Sequence, residues 1–318
     1  MGKYDAETKK YMSDSRRFAD AFNYLIYDGE PVIDPDKLTE ADTTQVVLPY
    51  GNDAKEVLQK YRDVLKIWSA RQDDKAVYVI LGIEDQTSIH YAMPVRDMLY
   101  DAIHYAKQVD EAGRSYRRNG TGGDSLTSGE FLSGFRKTDR LMPVITLVVH
   151  FGSKKWDAPT SIHEMIATDD QQLLKFVPDY KINLIAPAQM EDTEFDKFRT
   201  GLGLALKYIK HSENREELKA LANDKRFRHI DYESASIANL VTNSELALNM
   251  DEEGNADMCQ GILDLKEEGR QEGRQEGVDE TRLESIQNIM ETLKLTAQQA
   301  MEALRIPDGD RPKYAARL

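Results

Sequence analysis

Apolar positions along this chain fall into two rhythms. Between residues 15 and 29, Phe18, Phe22, Leu25 and Ile26 recur three and four residues apart, the spacing of a helix with one buried stripe. Ser13 and Ser15 are the expected N-caps and Gly29 the expected stop. A Pro- and Asp-rich loop, PVIDPDKL, follows, and residues 55–61 read as a short helical or irregular lead-in. Two dense runs come next, YRDVLKIW and AVYVILGIE, joined by SARQDDK. They read as the strands of a hairpin. After Pro94, Val95, Met98, Leu99, Ala102, Ile103, Ala106 and Val109 return to helical spacing and predict a long helix. NGTGGDSLTSG (119–129) predicts a flexible loop, 142–151 and 181–187 predict strands, and the pattern from Asp192 to about Leu246 is helical. In that last stretch Phe195, Phe198, Leu202, Leu206 and Ile209 share one side. This order of elements predicts an α/β fold with a central mixed sheet.

The hairpin carries the candidate chemistry. With Gln72 to Lys75 as its turn, Asp63 stands opposite Glu84. Directly paired residues share a face, and Gln86 joins them two positions on. Opposed like charges destabilise a sheet, so water, a shared proton or a divalent cation must offset the repulsion. A slip of one residue would send the two acids to opposite faces. Mg²⁺ prefers oxygen ligands and is commonly held by one or two carboxylates together with water and substrate phosphate.

The region after about residue 247 differs in kind. EEGRQEGRQEG (267–277) repeats with a period of four and spaces glycines through dense charge. Each glycine weakens a helix by about 1 kcal/mol relative to alanine, so the segment reads as an exposed, marginal helix or a linker. TRLESIQNIMETL and TAQQAMEALRI read as two short helices, with Thr296 the N-cap of the second. They form either a small helix-turn-helix or a packing element. The expected division is therefore residues 1–247 as one domain and 248–318 as a charged helical tail.

The formal charge of −14 opposes a nucleic-acid role until it is mapped. Residues 241–310 hold 6 Lys and Arg against 17 Asp and Glu, whereas 111–160 hold 8 against 5. The basic side chains there are RSYRR (114–118), Arg136, Lys137, Arg140, Lys154 and Lys155. They are either a solvated loop face or a backbone-contact surface. The longest apolar run, 141–151, falls short of the roughly 20 residues needed to span a bilayer. The first residues lack the apolar core of a secretory signal. A single cysteine, Cys259, fits a reducing cytoplasm and removes cysteine-based metal clusters. The six histidines show no HExxH spacing, and neither a Walker A nor a GxGxxG fingerprint is present.

Asp63 followed about twenty residues later by Glu84-Asp85-Gln86 is similar to the D…(D/E)xK signature of the PD-(D/E)XK nuclease superfamily. More closely, the chain resembles the recombination-promoting nuclease/putative transposase family. The matching stretches are FADAFNYLIYDGEPVI, YRDVL, LGIEDQTSIHYAMPVRDMLYDAIHYA, SGEFLSGF, LMPVITLVVHFGSKKWDAP and PDYKINLIAP, covering most of residues 15–210. The resemblance implies a restriction-endonuclease-like central sheet flanked by helices. It implies Mg²⁺, with Mn²⁺ as the alternative ion, held by Asp63 and Glu84 and by the backbone carbonyl of Asp85. Gln86 stands where the superfamily usually has lysine; it can orient water but supplies no positive charge. Asp20, on the first helix, is a candidate accessory acid or an ordinary helix acid. Arg96 is a candidate phosphate contact or a structural ion pair, and Tyr100 reads as packing. The implied activity is endonucleolytic hydrolysis of DNA, with no membrane partner and with a homodimer favoured by two-strand cleavage. A DNA-binding module that does not cleave and a protein-interaction scaffold remain the alternatives.

Overall fold

In the structure, a computed structural model, residues 3–41, 44–47, 58–61, 64–72, 75–118 and 127–318 are described. Helices α1 (Lys3–Met12) and α2 (Ser15–Tyr27) come first. Phe18 and Phe22 of α2 are fully buried, while Ile26 is exposed, so the stripe closes one turn early. The N-cap of α2 is Asp14, whose carboxylate accepts from the Arg16 and Arg17 amides. Ser15 is already helical, and Ser13 turns back to the Lys9 carbonyl at the end of α1. Asp28 closes α2 in a left-handed conformation and Gly29 follows at φ +89°. A Cβ on Gly29 would meet the Lys197 carbonyl oxygen at 2.5 Å, so close approach as well as φ demands glycine there.

Strands β1 (Leu38–Glu40), β2 (Thr44–Val47) and β3 (Leu58–Tyr61) precede the hairpin. Residues 58–61 are therefore extended, contrary to the helical or irregular reading. Pairing from Thr44↔Tyr61 to Val47↔Leu58 engages backbone groups that one helical turn would leave open. The hairpin is β4 (Val64–Gln72) and β5 (Lys75–Gln86), antiparallel from Val64↔Ile83 to Gln72↔Lys75. That is the register the sequence predicts. Helix α3 (Met93–Arg118) and the short α4 (Ser128–Ser133) lead to β6 (Val144–His150), which runs parallel to β5. Parallel neighbours require such a crossover. After α5 (Gln171–Leu174), β7 (Asn183–Ile185) pairs in parallel with β6. The sheet order is β1-β4-β5-β6-β7, a mixed α/β arrangement. Leu147, Val148 and Val149 of β6 are all fully buried, as in a strand covered on both faces.

Helices α6 (Leu202–His211) and α7 (Arg215–Leu221), strand β8 (Ile230–Asp231), helix α8 (Tyr232–Thr242) and strand β9 (Asn255–Ala256) follow. The long helical stretch expected from Asp192 is interrupted. Residues Asp192–Lys197 form a 3₁₀ segment, and the Phe198 ring stacks on Tyr24 with centroids 4.5 Å apart. Gly203, within α6, lets this segment approach closely, since a Cβ there would sit 2.5 Å from the Phe195 carbonyl oxygen. From α6 onward the stripe holds, with Leu202, Leu206 and Ile209 fully buried.

The chain divides into two compact units, Met1–Cys259 and Gln260–Leu318. The first runs past β9, which pairs with β8, and ends with Met258 and Cys259 buried. Helix α9 (Met258–Leu293) passes unbroken through the glycine-punctuated repeat and takes in the first of the two short helices expected after it. Helices α10 (Ala297–Ala303) and α11 (Arg311–Ala315) complete the second unit. Ile286, Ala300, Met301, Ile306 and Tyr314 form its core. Once that core nucleates the distal part of α9, each further residue adds a hydrogen bond at low cost, and the glycines are tolerated. Thr296 caps α10 through a capping box with Gln299. Among the described residues, no helix is long and apolar enough to cross a membrane.

Asp279 is buried in this second unit between Lys313 and Tyr314, whose hydroxyl lies 2.5 Å from it. The Lys313 ammonium, and after it the tyrosine hydroxyl, hold the carboxyl below its ordinary value. A depressed folded-state pKa contributes stability that is complete above the unfolded value of about 3.9 and is lost as pH falls through the folded one. Acid titration followed by the NMR ring resonances of Tyr314 is expected to show the second unit loosening below about pH 4, and Asp279→Asn to remove that pH dependence.

Candidate functional site

The candidate site lies where β5 ends. Glu84, Asp85 and Gln86 are its last three residues and pair with Val148, Val149 and His150 of β6. The ladder to β4 holds β5 as far as Ile83, and the ladder to β6 carries on through Gln86. Ile83, the residue before Glu84, is fully buried and pairs with Val64, the first residue of β4. Glu84 is thus one position beyond the last described pair of the hairpin. Asp63 lies outside the described residues, as do the side chains of Glu84, Asp85 and Gln86.

Three elements close around this strand end. Helix α1 approaches from one side, where the Thr87 hydroxyl donates to Asp5 at 3.0 Å. Tyr11 meets Phe151 edge to face, with ring centroids 6.3 Å apart. Helix α3 begins six residues after β5 on the buried Met93, which packs with Val148, Trp156, Ala158 and Ala186. The chain after β6 folds over His150, whose ring meets Trp156 edge to face; a Cβ on Gly152 would clash with that imidazole.

Arg96 sits in the first turn of α3, its Nε donating to the Tyr100 hydroxyl at 3.2 Å. Tyr100 is buried, consistent with packing. One face of α3 also carries the buried polar groups Asp97, Asp101 and His104. Asp101 accepts from the Thr146 hydroxyl at 2.6 Å and the Tyr180 hydroxyl at 2.7 Å. The Asn183 amide in turn donates to the Thr146 carbonyl, so α3, β6 and β7 are locked together beneath the strand end. Buried polar groups need such partners. Periodicity predicts Val95, Met98, Leu99, Ala102, Ile103, Ala106 and Val109 as the buried face of α3; instead Val95, Met98 and Ala102 are exposed and the opposite, polar face turns inward, where Asp101 is paired with Thr146 and Tyr180.

Asp20 makes its described hydrogen bonds to the segment that leads into α6. It is buried on α2 and accepts from the amides of Arg199 and Thr200 and from the Thr200 hydroxyl. Lys66, in the middle of β4, is another buried charge that the apolar pattern conceals. Its ammonium donates to the Ser13 carbonyl and the Ser15 hydroxyl, and burial pulls its pKa down. It ties β4 to the junction of α1 and α2.

The basic residues of 111–160 are unequally committed. Arg114 pairs with Asp110, Arg136 lies 4.0 Å over the Tyr116 ring, and Arg140 donates to the Lys137 and Asp139 carbonyls. Arg117, Arg118, Lys154 and Lys155 are exposed. Among the described residues, no group of three or more His, Cys, Asp or Glu side chains is arranged to hold a metal ion.

A family model described as "Putative transposase, YhgA-like" matches residues 54–232. This span contains the hairpin, α3, β6, β7 and the helices as far as the start of α8. No curated protein and no solved structure matches the chain.

Proposed function

The chain belongs to the YhgA-like putative transposases, and on that premise we propose that it is a metal-dependent endonuclease hydrolysing DNA phosphodiester bonds on a restriction-endonuclease-like sheet. The observation that supports this reading most is the hairpin register. Val64 pairs with Ile83, so one more step of the same antiparallel ladder would set positions 63 and 84 across from each other.

The donor set fits a hard cation. The Asp63 and Glu84 carboxylates and the Asp85 carbonyl are all oxygen ligands, which suits Mg²⁺, with Mn²⁺ as the alternative. Such an ion, when bound, polarises phosphoryl oxygens and acidifies water. The remaining work falls to the chain. Asp63 and Glu84 fix the charge at one strand end, and Gln86 offers a neutral amide that can orient the attacking water. Arg96, at the start of α3, is the nearest described guanidinium in sequence to that strand end and is suited to a phosphate contact. Arg117, Arg118, Lys154 and Lys155 are exposed cations available to the DNA backbone. Asp20, with its carboxylate engaged by the 199–200 backbone, holds the frame in this reading. Two-strand cleavage would bring two such sites together in a homodimer.

Glutamine in place of lysine favours one other reading, a DNA-binding protein that does not cleave, because it removes a positive charge from the developing oxyanion. Incubation of supercoiled plasmid with native protein and Mg²⁺ or Mn²⁺ separates the two. Nicked or linear product is expected. Intact plasmid with salt-sensitive DNA binding would leave only the second reading standing.

A further inference from the structure

Outside the hairpin, residues 225–229 read Lys-Arg-Phe-Arg-His, a dense basic run in an acidic chain. Lys225–Arg228 form a 3₁₀ turn capped by Asp224, and Phe227 is fully buried beneath it. The cap and the ring fix the turn while Lys225, Arg226, Arg228 and His229 stay exposed. The turn forms one side of a cleft of about 610 Å³, and Arg199, Thr200, Gly201 and Leu204 line it where α6 begins.

The acids of this cleft are already engaged within the protein. Asp196 pairs with Arg226 at 2.5 Å, and Asp231 pairs with Arg17 at 2.9 Å while accepting the Ser234 amide. The side chains of Lys225 and His229 have no hydrogen-bond or ion-pair partner among the described residues. Arg199 turns its Nε to the Gly29 carbonyl and has only a long, exposed contact with Glu30, at 3.8 Å. The first turn of α6 adds the positive end of a helix dipole. Arg17 and Arg226 are each shared with a second carboxylate, Glu233 and Asp224, so the cations left for a ligand are Lys225 and Arg199, on a preorganised frame open to solvent.

We propose that this cleft binds phosphate groups, and that their source is the backbone of the nucleic acid on which the chain acts. This deepens the nuclease reading and rests on it for the source of the phosphate. Lys225 supplies a mobile ammonium, His229 an imidazole donor and Arg199 a planar fork suited to phosphate oxygens. None of them reads bases, so the contact positions DNA without conferring sequence preference.

The test is anisotropy of a labelled short duplex titrated with the full chain across a range of salt. Each phosphate contact steepens the dependence of log K on log salt by about 0.9. The Lys225→Gln/His229→Gln variant is expected to flatten that slope by about one and to weaken binding about eightfold at 0.1 M salt. Lys219→Gln, which removes a surface lysine already paired with Glu216, is expected to behave as native. A native slope in the double variant, with native DNA affinity, overturns the cleft and leaves the nuclease reading intact. Should the native chain bind no duplex, the nucleic-acid source falls. The cleft is then judged by the His229 ring resonances on titration with inorganic pyrophosphate. A saturable shift absent from Lys225→Gln supports a site for free phosphates, and no shift overturns the site altogether.

Discussion

Glu84→Ala, like Asp63→Ala, is expected to lower Mg²⁺-supported plasmid nicking by about three orders of magnitude while leaving the chain folded. The size follows from the role. In the proposed role, losing one of two carboxylate ligands removes several kcal/mol of stabilisation from the charge that develops at phosphorus, and each 1.36 kcal/mol is tenfold in rate. The fold survives because the ladders that hold this strand end are made by backbone. Glu84 keeps its register with Val148 whatever its side chain, and Ile83 beside it stays buried against neighbours that do not change. In the proposed arrangement, where Asp63 opposes Glu84, removing one acid also relieves a repulsion worth some tenths of a kcal/mol, so the melting temperature is expected to be unchanged or slightly higher. Nicking rates and thermal melts on the same preparations check this. Native rates in either variant would remove that residue from catalysis. A collapsed melt in Glu84→Ala would mean that the carboxylate is part of the framework.

The hairpin was legible because it is locally determined. Two dense apolar runs joined by a short polar stretch mark a hairpin, and with Gln72 to Lys75 as its turn Val64↔Ile83 follows by counting. The existence of helix α3 was legible for the same reason, its apolar positions recurring from Val95 to Val109, but not its buried face, since Val95 and Met98 are exposed while Asp97, Asp101 and His104 turn inward. What could not be read depends on contacts distant in sequence. Gly203, within α6, lets Phe195 come close to it, and the continuity of α9 rests on a core completed only at Tyr314. Charges were misleading in both directions. Lys66 and Asp20 look like surface residues and are buried braces, whereas Arg136 and Arg140 look like DNA contacts but lie over the Tyr116 ring of α3 and on nearby carbonyls, respectively. The basic turn at 225–229 passed unnoticed because Asp224 and Asp231 flank it. Only the structure shows those acids occupied by Arg226 and Arg17.

Asp20 is where the framework and the chemistry can be told apart. Asp20→Ala is expected to destabilise the first unit by about 3 kcal/mol, because it strands buried amide donors and removes hydrogen bonds to a charged acceptor. Both carboxylate oxygens accept from the Arg199 amide at 3.0 Å, and one also takes the Thr200 amide at 2.8 Å and the Thr200 hydroxyl at 2.6 Å. These bonds fasten the segment leading into α6 onto α2, across nearly 180 residues of sequence, so their loss cannot be absorbed locally. For a unit of this size the fall in melting temperature should be roughly 10 °C. Asp20→Asn keeps one acceptor but turns an NH₂ toward the donors, and is expected to fall between alanine and native. Well below their melting temperatures, both variants should nick plasmid at the native rate per folded chain and with the native Mg²⁺ dependence. An Asp20→Asn protein that melts like native but needs far more Mg²⁺ would reverse the assignment. The brace would then be dispensable, and the carboxylate would belong to the ion.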